Sequence, residues 1–399
     1  NFFIGSYSLI SQKTNDYSSI RTCNFKNIYM ARMNDVSTHT YIYFMIFHDI
    51  TTIIRFAIRK NNADKIIFFI ENLSHFRFIE SIFDYFFKNN YDITVISLEN
   101  PFGTRDYNNN NLSLVLLKDE KDKITTLKNL KGKLFITTTP SIGTPIFPKS
   151  QIIPKEDRPK YLYFFHSLVS PNEMYVKNSF KNFDYIFSPS DIITEQLNFL
   201  VSNKTEIFTT GYLLFNNIEV GNYSKDFDDK VLIAPTWGEK GVSQLMNNID
   251  NLTNFIIKQR LKPVFRPHPM TDVNKLNNLK GISLDLDKDL KSLHRYRHLI
   301  TDFSGIALEY FYLTKRPVLF LDVSKKIKRK LGTKEKKLKL IENDMRTIIG
   351  DIISLDKISD LNSFPTIENK ISLEFINEIN SNVNSLENTL EALRKNNLN

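Results

Sequence analysis

The sequence has few of the residues on which covalent frameworks and several familiar catalytic loops depend. Its 399 residues include a single cysteine, Cys23, which excludes an internal disulfide and any zinc site built from several cysteines. It also contains no Walker loop, no G-x-S-x-G elbow and no G-x-G-x-x-G fingerprint, so the nucleotide-binding and hydrolase classes that those loops define are not indicated. One cysteine favours a reducing compartment such as the cytoplasm.

Long apolar runs are also missing. The most apolar window, 41–57, contains His48, Asp49 and Arg55, whereas a membrane-spanning helix needs about 20 apolar residues. No segment has the pattern of a signal peptide. The sequence therefore predicts a cytoplasmic protein and leaves open a peripheral position at the inner face of the cell membrane.

Basic charge is concentrated in one segment. The chain carries a net charge of +9, and the stretch from Lys325 to Lys339 holds nine Lys/Arg and one acid, Glu335. Two interpretations stay open: a solvated loop and helix face, or a patch for anionic lipid headgroups or a polyanionic acceptor. Each basic residue near an anionic membrane surface contributes about 1 kcal/mol to the free energy of binding to that surface. Nucleic acid is not predicted as a partner, because no recognisable binding motif accompanies the patch.

Apolar runs of strand length alternate with helical patterns in two successive series. The first series comprises 65–70, 92–98, 133–138, 160–166, 183–188 and 206–212, and the second comprises 230–234, 263–266, 282–286, 299–301 and 316–322. Helices are predicted at 76–87, 190–200, 242–260 and after residue 302, and an early strand at 27–31. Strand–helix–strand units imply parallel sheets covered by helices on both faces.

The two series predict an α/β protein with two Rossmann-like domains facing a cleft. The predicted domains are 1–213 and 229–370, joined by the polar stretch 214–228, and a C-terminal helix within 371–399 that could cross back to the first domain. Ligands in open α/β sheets bind beyond the carboxyl ends of the strands. Polar or aromatic side chains follow predicted strands at His166, Thr236, Trp237, His268, Thr301 and Asp302.

The motif around His268 suits an anionic ligand. His268 lies between Pro267 and Pro269, and its imidazole could accept a proton or, once protonated, hold a phosphate oxygen. Arg266 could offer a bidentate fork to a diphosphate. The alternatives are a histidine that fills a tight loop and an arginine in a surface ion pair.

A second polar motif opens a predicted helix. Asp302 or Ser304 could cap this helix, and Asp302 could instead orient a histidine. Backbone N–H groups at a helix N-terminus bind anions, Gly305 would permit close approach, and the hydroxyls of Thr301 and Ser304 could add donors. The alternative is plain helix capping.

Three further residues have one binding and one structural interpretation each. Glu309 could reach a ribose diol or form an ion pair with Arg316. Trp237 could stack on a base or sugar, or pack between domains. His166 is the first candidate for a general base, because it lies in the other half of the chain across the predicted cleft; otherwise it only ends a strand. The remaining histidines have no companions at useful spacing and are interpreted as structural: His39, His48, His75, His294 and His298.

These motifs occur in an order that resembles a known family. The order is Phe165-His166-Ser167, Phe183-Asp184-Tyr185, Gly211-Tyr212, Ala234-Pro235-Thr236-Trp237-Gly238, Arg266-Pro267-His268-Pro269, Thr301-Asp302-Phe303-Ser304-Gly305, Glu309-Tyr310 and Arg316-Pro317-Val318. It resembles the CDP-glycerol glycerophosphotransferase family, which builds teichoic-acid and related capsular polymers, over about residues 160–325. The resemblance implies a glycosyltransferase-B-type fold with the donor held mainly by the C-terminal half. It also implies two essential histidines, here His166 and His268.

Three positions depart from the pattern of many members. Ser167 stands where many have glycine, Gly305 where many have a second serine, and Glu309 where many have aspartate. These departures bear on the identity of the donor more than on the general chemistry.

The resulting hypothesis is a transferase that moves a glycerol-phosphate or related polyol- or sugar-phosphate unit. The donor is CDP-activated, the acceptor is a polymer or lipid-linked hydroxyl of a cell-surface polymer, and CMP is released, with His166 as base. The 1–213 domain would hold the acceptor and the 229–370 domain the donor. The predicted donor-binding residues are Thr236, Trp237, Gly238, Arg266, Thr301, Asp302, Ser304, Gly305 and Glu309. No cofactor is required by this chemistry and no metal is indicated, because a helix N-terminus and basic groups can replace one.

Two alternatives remain open from the sequence. One is a glycosyltransferase of the same fold that uses a nucleotide-sugar donor and releases a nucleoside diphosphate. The other is a polysaccharide- or lipid-binding module that uses the basic segment between Lys325 and Lys339.

Overall fold

The computed structural model describes the chain in a series of ranges. These are residues 64–103, 107, 111–128, 130–144, 158–216, 218, 221, 227–237, 244–269, 271, 279, 281–287, 289–324, 331–366, 375, 378, 380 and 384–398. The strand predicted at 27–31 and the candidate residue Gly238 lie outside the described residues. Residues 62–399 form one compact unit.

The first half forms a seven-stranded parallel sheet. Its strands are β1 (Ile66–Ile70), β2 (Ile93–Ser97), β3 (Leu112–Leu116), β4 (Leu134–Thr137), β5 (Lys160–Phe164), β6 (Tyr185–Ser188) and β7 (Glu206–Thr209). The spatial order is β3-β2-β1-β4-β5-β6-β7, so the strand order reverses between β1 and β4. All five residues of β1 are buried, as its unbroken apolar run predicts for a strand covered on both faces.

Helices cover both faces of this sheet. They are α1 (Glu80–Lys88), α2 (Glu120–Lys128), α3 (Pro171–Met174) and α4 (Asp191–Leu197), with 3-10 helices at Leu73–Phe78 and Leu213–Phe215. The predicted helix at 76–87 is thus divided into a 3-10 helix and an α-helix. The side chain of Ser190 caps α4 by accepting a hydrogen bond from the Ile193 N–H at 3.4 Å, as expected for serine at this position.

The second half forms a six-stranded parallel sheet. Its strands are β8 (Asp228–Ile233), β9 (Lys262–Phe265), β10 (Ser283–Leu284), β11 (Tyr296–Thr301), β12 (Val318–Asp322) and β13 (Gly350–Ser354). Their order is β10-β9-β8-β11-β12-β13. The helices are α5 (Ile249–Lys258), α6 (Ile306–Thr314) and α7 (Ile341–Ile348), with 3-10 helices at Gln244–Asn248, Leu290–Arg295, Glu335–Lys337 and Leu355–Asp360. The predicted architecture of two Rossmann-like sheets is confirmed, whereas the exact domain limits stay a prediction.

The two sheets share packed side chains. The ring of Phe215 stacks on Tyr312 of α6, with centroids 3.8 Å apart. The backbone N–H of Ser170 donates to the Glu342 carboxylate of α7 at 2.8 Å. One buried hydrophobic cluster includes residues of both sheets, so apolar burial as well as hydrogen bonding joins them.

The C-terminal helix returns to the first sheet, as predicted. This helix, α8 (Ser385–Lys395), buries Leu390 and Leu393 in the same cluster as Phe68 of β1. The Leu386 N–H donates to the side chain of Asn216 at 3.1 Å. Among the described residues, no helix is both long enough and apolar enough to cross a membrane.

Candidate active site

Three neighbouring strands of the first sheet carry polar side chains beyond their carboxyl ends. His75 lies in the 3-10 helix after β1, Thr138 directly follows β4, and His166 lies two residues after β5. Since β1, β4 and β5 are adjacent in the sheet, their ends meet at one edge, where α/β sheets bind ligands.

His166 is oriented by the backbone of the neighbouring strand. Its Nδ1 lies 3.0 Å from the carbonyl oxygen of Thr138. A carbonyl oxygen can only accept, so Nδ1 carries the hydrogen, and Nε2 of the neutral ring keeps a lone pair. The ring is half-buried. This arrangement is chemically suited to taking up a proton at Nε2.

His75 packs against the candidate base. The two imidazole rings stack with centroids 4.4 Å apart and planes inclined by 21°, and His75 Nδ1 lies 3.2 Å from Thr138 Oγ1. Burial, together with the nearby His166, Arg77 and His268, lowers the pKa of His75 to about 2, so the ring is neutral at neutral pH.

The sequence interprets His75 as structural because it has no companion at useful spacing, whereas the structure stacks its ring on His166. Nothing in its spacing from His166 identifies it. Like His166, His75 lies beyond the carboxyl end of a strand, because it follows β1. The sequence does not single it out, because it falls just before the predicted helix at 76–87.

His268 approaches the same region from the second sheet. It follows β9 and is half-buried, and its carbonyl accepts from the Thr271 N–H at 2.7 Å, so it lies in a tight turn. Its charge contributes to the lowered pKa of His75, so His268 lies within electrostatic range of His75, the ring that stacks on His166. His166 and His268 thus approach this region from opposite sheets. Their catalytic roles stay a prediction.

Arg266 already has a carboxylate partner. Its Nε donates to Asp285 at 3.0 Å and its Nη2 to Ser292 Oγ at 2.8 Å. The hydroxyl of Tyr296 also donates to Asp285. Arg266 thus forms an ion pair, which was one of the two interpretations from the sequence. The pair is mostly buried rather than on the surface, because both side chains are about a tenth exposed. Bidentate binding of a diphosphate by Arg266 stays a prediction, and the diphosphate would have to share the guanidinium with Asp285.

Thr301 and Asp302 hold two loops together at the end of the second sheet. The Thr301 hydroxyl donates to the Ala234 carbonyl at 2.6 Å, and the buried Asp302 carboxylate accepts from the Thr236 N–H at 2.9 Å. The backbone oxygen of Ala234 takes the hydrogen of the Thr301 hydroxyl here, and a role of this hydroxyl as donor to an anion stays a prediction. The two side chains fix the loop that carries Thr236 and Trp237.

The N-terminus of α6 has no side-chain cap. Its N-cap residue is Gly305, so the prediction that Asp302 or Ser304 caps the helix is wrong. A Cβ added to Gly305 would lie 3.8 Å from both the Leu168 nitrogen and the Ser167 Cβ. The helix start therefore faces the loop that follows His166. The N–H groups of Ala307 and Leu308 donate to the carbonyls of Ser304 and Gly305, so an anion at this helix start would depend on the N–H groups that precede them.

Glu309 faces the first sheet. Its Oε2 lies 3.4 Å from Arg77 Nη2. Burial raises the pKa of Glu309, while the charges of Arg77 and Arg266 oppose that rise. The alternative ion pair between Glu309 and Arg316 is wrong, because Arg316 donates to backbone carbonyls instead. A ribose contact stays a prediction.

The remaining predicted features are described only in part. Trp237 is half-buried beyond β8, and Gly238 lies outside the described residues. In the part of the chain that the structure describes, no group of three or more His, Cys, Asp or Glu could hold a metal ion.

The described end of the basic segment exposes Lys334, Lys336 and Lys337, while Lys339 forms ion pairs with acidic side chains.

Comparison with known proteins identifies similarities to one family and one fold. Residues 170–327 match the model of the CDP-glycerol:poly(glycerophosphate) glycerophosphotransferase family. That range includes His268, Arg266 and Glu309 and begins four residues after His166. No curated protein sequence matches the chain.

Solved structures show the same architecture. Two structures of the wall teichoic acid polymerase TagF, a histidine-to-asparagine variant soaked with CDPG, superpose with TM-scores of 0.53 and 0.54 at 15% and 16% identity. Each alignment covers 90% of this chain and 98% of TagF. A UDP-GlcNAc 2-epimerase from Methanocaldococcus jannaschii aligns over 83% of this chain and 99% of its own, at 14% identity and a TM-score of 0.48. The two TagF superpositions confirm the predicted glycosyltransferase-B-like fold.

Proposed function

We propose that this chain is a CDP-glycerol glycerophosphotransferase-like transferase and that it moves a glycerol-phosphate unit to a hydroxyl of a cell-surface polymer. The donor would be CDP-glycerol or a closely related CDP-activated polyol or sugar phosphate. The second product would be CMP. The family match and the CDPG-soaked TagF structures support this donor class.

The observation that carries the proposal is the orientation of His166. Its Nδ1–H is held by the Thr138 carbonyl, which leaves Nε2 as the proton acceptor. In the proposed reaction the acceptor hydroxyl gives its proton to Nε2, and its oxygen forms a bond to the glycerol-bearing phosphorus. The bond from this phosphorus to the bridging oxygen breaks, and CMP leaves with that oxygen and its electron pair.

The second sheet would stabilise the leaving group. Negative charge develops on the departing phosphate, and preorganised donors near that charge supply a large part of catalysis. In this proposal His268 and the uncapped N-terminus of α6 at Gly305 provide these donors. Arg266 would contribute its guanidinium, and Trp237 and Glu309 would contact the nucleoside.

The test is CMP release from the purified chain. It is incubated with CDP-glycerol and a glycerol-phosphate primer, and CMP is measured by chromatography. His166→Asn and His268→Asn are each expected to reduce turnover by at least about 100-fold, because the first removes the general base and the second removes a donor to the leaving group. The matched control is His298→Asn, since His298 stacks on Phe364 at 3.9 Å in the second sheet and has no part in the proposed chemistry. Unchanged turnover in both site variants would remove the proposed roles.

Product identity separates this function from the alternatives. Release of a nucleoside diphosphate from a nucleotide sugar, with no CMP from any CDP-activated donor, would instead indicate a glycosyltransferase. A binding module would release neither product, and its ligand binding would survive both histidine substitutions.

The basic segment between Lys325 and Lys339 provides a second, separable part of the proposal. We infer that it contacts an anionic membrane surface or polymer, since Lys334, Lys336 and Lys337 are exposed. Reversing these three lysines to glutamate should weaken co-sedimentation with phosphatidylglycerol vesicles and leave CMP release with a soluble primer unchanged. Equal sedimentation of both proteins would contradict it.

A further inference from the structure

Two imidazoles and one threonine form a connected group at the edge of the first sheet. Thr138 bonds to both rings: its carbonyl oxygen lies 3.0 Å from His166 Nδ1, and its Oγ1 lies 3.2 Å from His75 Nδ1. The rings stack at 4.4 Å. The three residues come from the ends of β1, β4 and β5, which are adjacent, so the sheet itself sets their spacing.

A single hydrogen bond does not fix the plane of an imidazole. The Thr138 carbonyl sets the position of Nδ1, while the tilt of the His166 ring, and with it the direction of Nε2, depends on its ring contacts, which include the stacked His75 and the edge of Phe78 at 6.3 Å. A stacked ring on one face restricts that tilt, because tilting would break the contact. His75 is held in turn by Thr138 Oγ1 and by the edge of Phe78, whose centroid lies 6.2 Å from it.

The neutral form of His75 suits this position. Its surroundings contain the cationic Arg77 and the titratable His166 and His268, and these groups together with burial lower the pKa of His75 to about 2. A neutral ring can remain stacked when His166 takes up a proton, and it then interacts favourably with the imidazolium. A second cation at this distance would oppose the same proton transfer.

We propose that His75 is a positioning residue: its ring fixes the plane of the His166 imidazole and thereby the direction of Nε2, and Thr138 sets the position of both rings. The inference rests on the proposed function, in which His166 is the base. His75 itself touches neither substrate nor the reacting atoms in this scheme.

Two substitutions separate stacking from other roles. His75→Ala removes the ring, and His75→Phe keeps an aromatic ring while losing Nδ1. We expect His75→Ala to lower kcat for CMP release by about 10- to 100-fold, because a misplaced catalytic group costs up to about 100-fold. KM for the donor should change less than about threefold. His75→Phe should recover kcat to within about fivefold of the wild type. His298→Ala, which removes another stacked histidine, should leave kcat unchanged.

The orientation of His166 can also be measured without turnover. In protein labelled with ¹⁵N-histidine, NMR assigns the tautomer of each ring, and the signal that His166→Gln removes belongs to His166. We expect the Nδ1–H tautomer in the wild type and in His75→Phe, and exchange broadening or a tautomer mixture in His75→Ala.

The outcomes decide between distinct failures. If His75→Ala leaves the His166 signal and kcat unchanged, or if both variants lose kcat equally while folded, the positioning role is wrong. If the wild type releases no CMP but the His166 signal still depends on the ring at position 75, the proposed function fails and the positioning role stands.

Discussion

The ion pair between Arg77 and Glu309 joins the two sheets beside the candidate site, and its loss has a calculable effect. Arg77 follows β1 and Glu309 lies on α6, with 3.4 Å between Nη2 and Oε2. The Glu309 side chain is 7% exposed and that of Arg77 is 28% exposed. Arg77→Ala would therefore leave a buried carboxyl group without this cation.

The magnitude follows from burial and from the ability of Glu309 to take up a proton. Removing one partner of a fully buried pair costs about 3–5 kcal/mol. Arg77 is partly exposed, which weakens the pair, and Glu309 can become neutral instead of staying charged. We expect a loss of about 2 kcal/mol near neutral pH, or about 3 °C in Tm for a unit of this size.

The pH dependence has a definite sign. Burial raises the pKa of Glu309 above its ordinary value of 4.5. The folded protein therefore binds this proton more tightly than the unfolded chain does, and stability falls as pH rises from about 4.5 through the folded pKa. Arg77→Ala raises that pKa further, so its deficit should be small at pH 4, where Glu309 is neutral in both proteins, and largest at about pH 8.

Thermal unfolding from pH 4 to pH 8 measures this deficit. Arg77 also lies 4.6 Å from the ring centroid of Phe78, so its replacement loses packing as well as charge. Glu309→Gln keeps the shape and removes the charge, and the double variant completes a cycle that isolates the pair. A deficit that is the same at all pH values, or the same in the Glu309→Gln background, would refute the reasoning.

Three further substitutions have clear expected outcomes. Gly350→Ala should prevent soluble folding, because its Cβ would lie 1.8 Å from the Val318 oxygen, and expression yield with circular dichroism checks this. Gly305→Ala should fold with an unchanged Tm, since no heavy atom lies closer than 3.8 Å to its Cβ, and under the proposed function it should raise the donor Kd by about tenfold, measured by calorimetry. Tyr212→Phe should be neutral or stabilising by up to about 1 kcal/mol in thermal unfolding, because its buried hydroxyl has no hydrogen-bond partner among the described residues.

The sequence predicts the central strands well because they are buried on both faces. Runs such as 66–70 contain only apolar residues, and such runs have few alternatives to an interior strand. The sequence does not predict several elements at the edges of the sheets. The edge strand β3 is only partly buried, and α2 is largely polar, so neither has a strong apolar pattern. The helix α7 and the edge strand β13 follow the basic segment and were also absent from the prediction.

The positions of the candidate residues were predicted better than their partners. His166 and His268 lie beyond the ends of β5 and β9, as the local sequence indicates, and their roles stay a prediction. Pairings depend on tertiary packing: Glu309 pairs with Arg77, 232 positions away, rather than with Arg316 seven positions on. Arg266 likewise pairs with Asp285 across neighbouring parallel strands β9 and β10. No local pattern encodes such contacts, because they arise only when the sheets assemble.

These pairings bear on how a diphosphate could bind. Arg266 and Arg77, which both influence Glu309, already contact carboxylates, so neither guanidinium is an uncompensated charge waiting for an anion. A diphosphate at the start of α6 would compete with Asp285 for Arg266 and would raise the pKa of the buried Glu309 further. Protonation of Glu309 would then release Arg77 from its carboxylate. Under the proposed function, donor binding would thus bear on the contact between the sheets as well as on the second sheet.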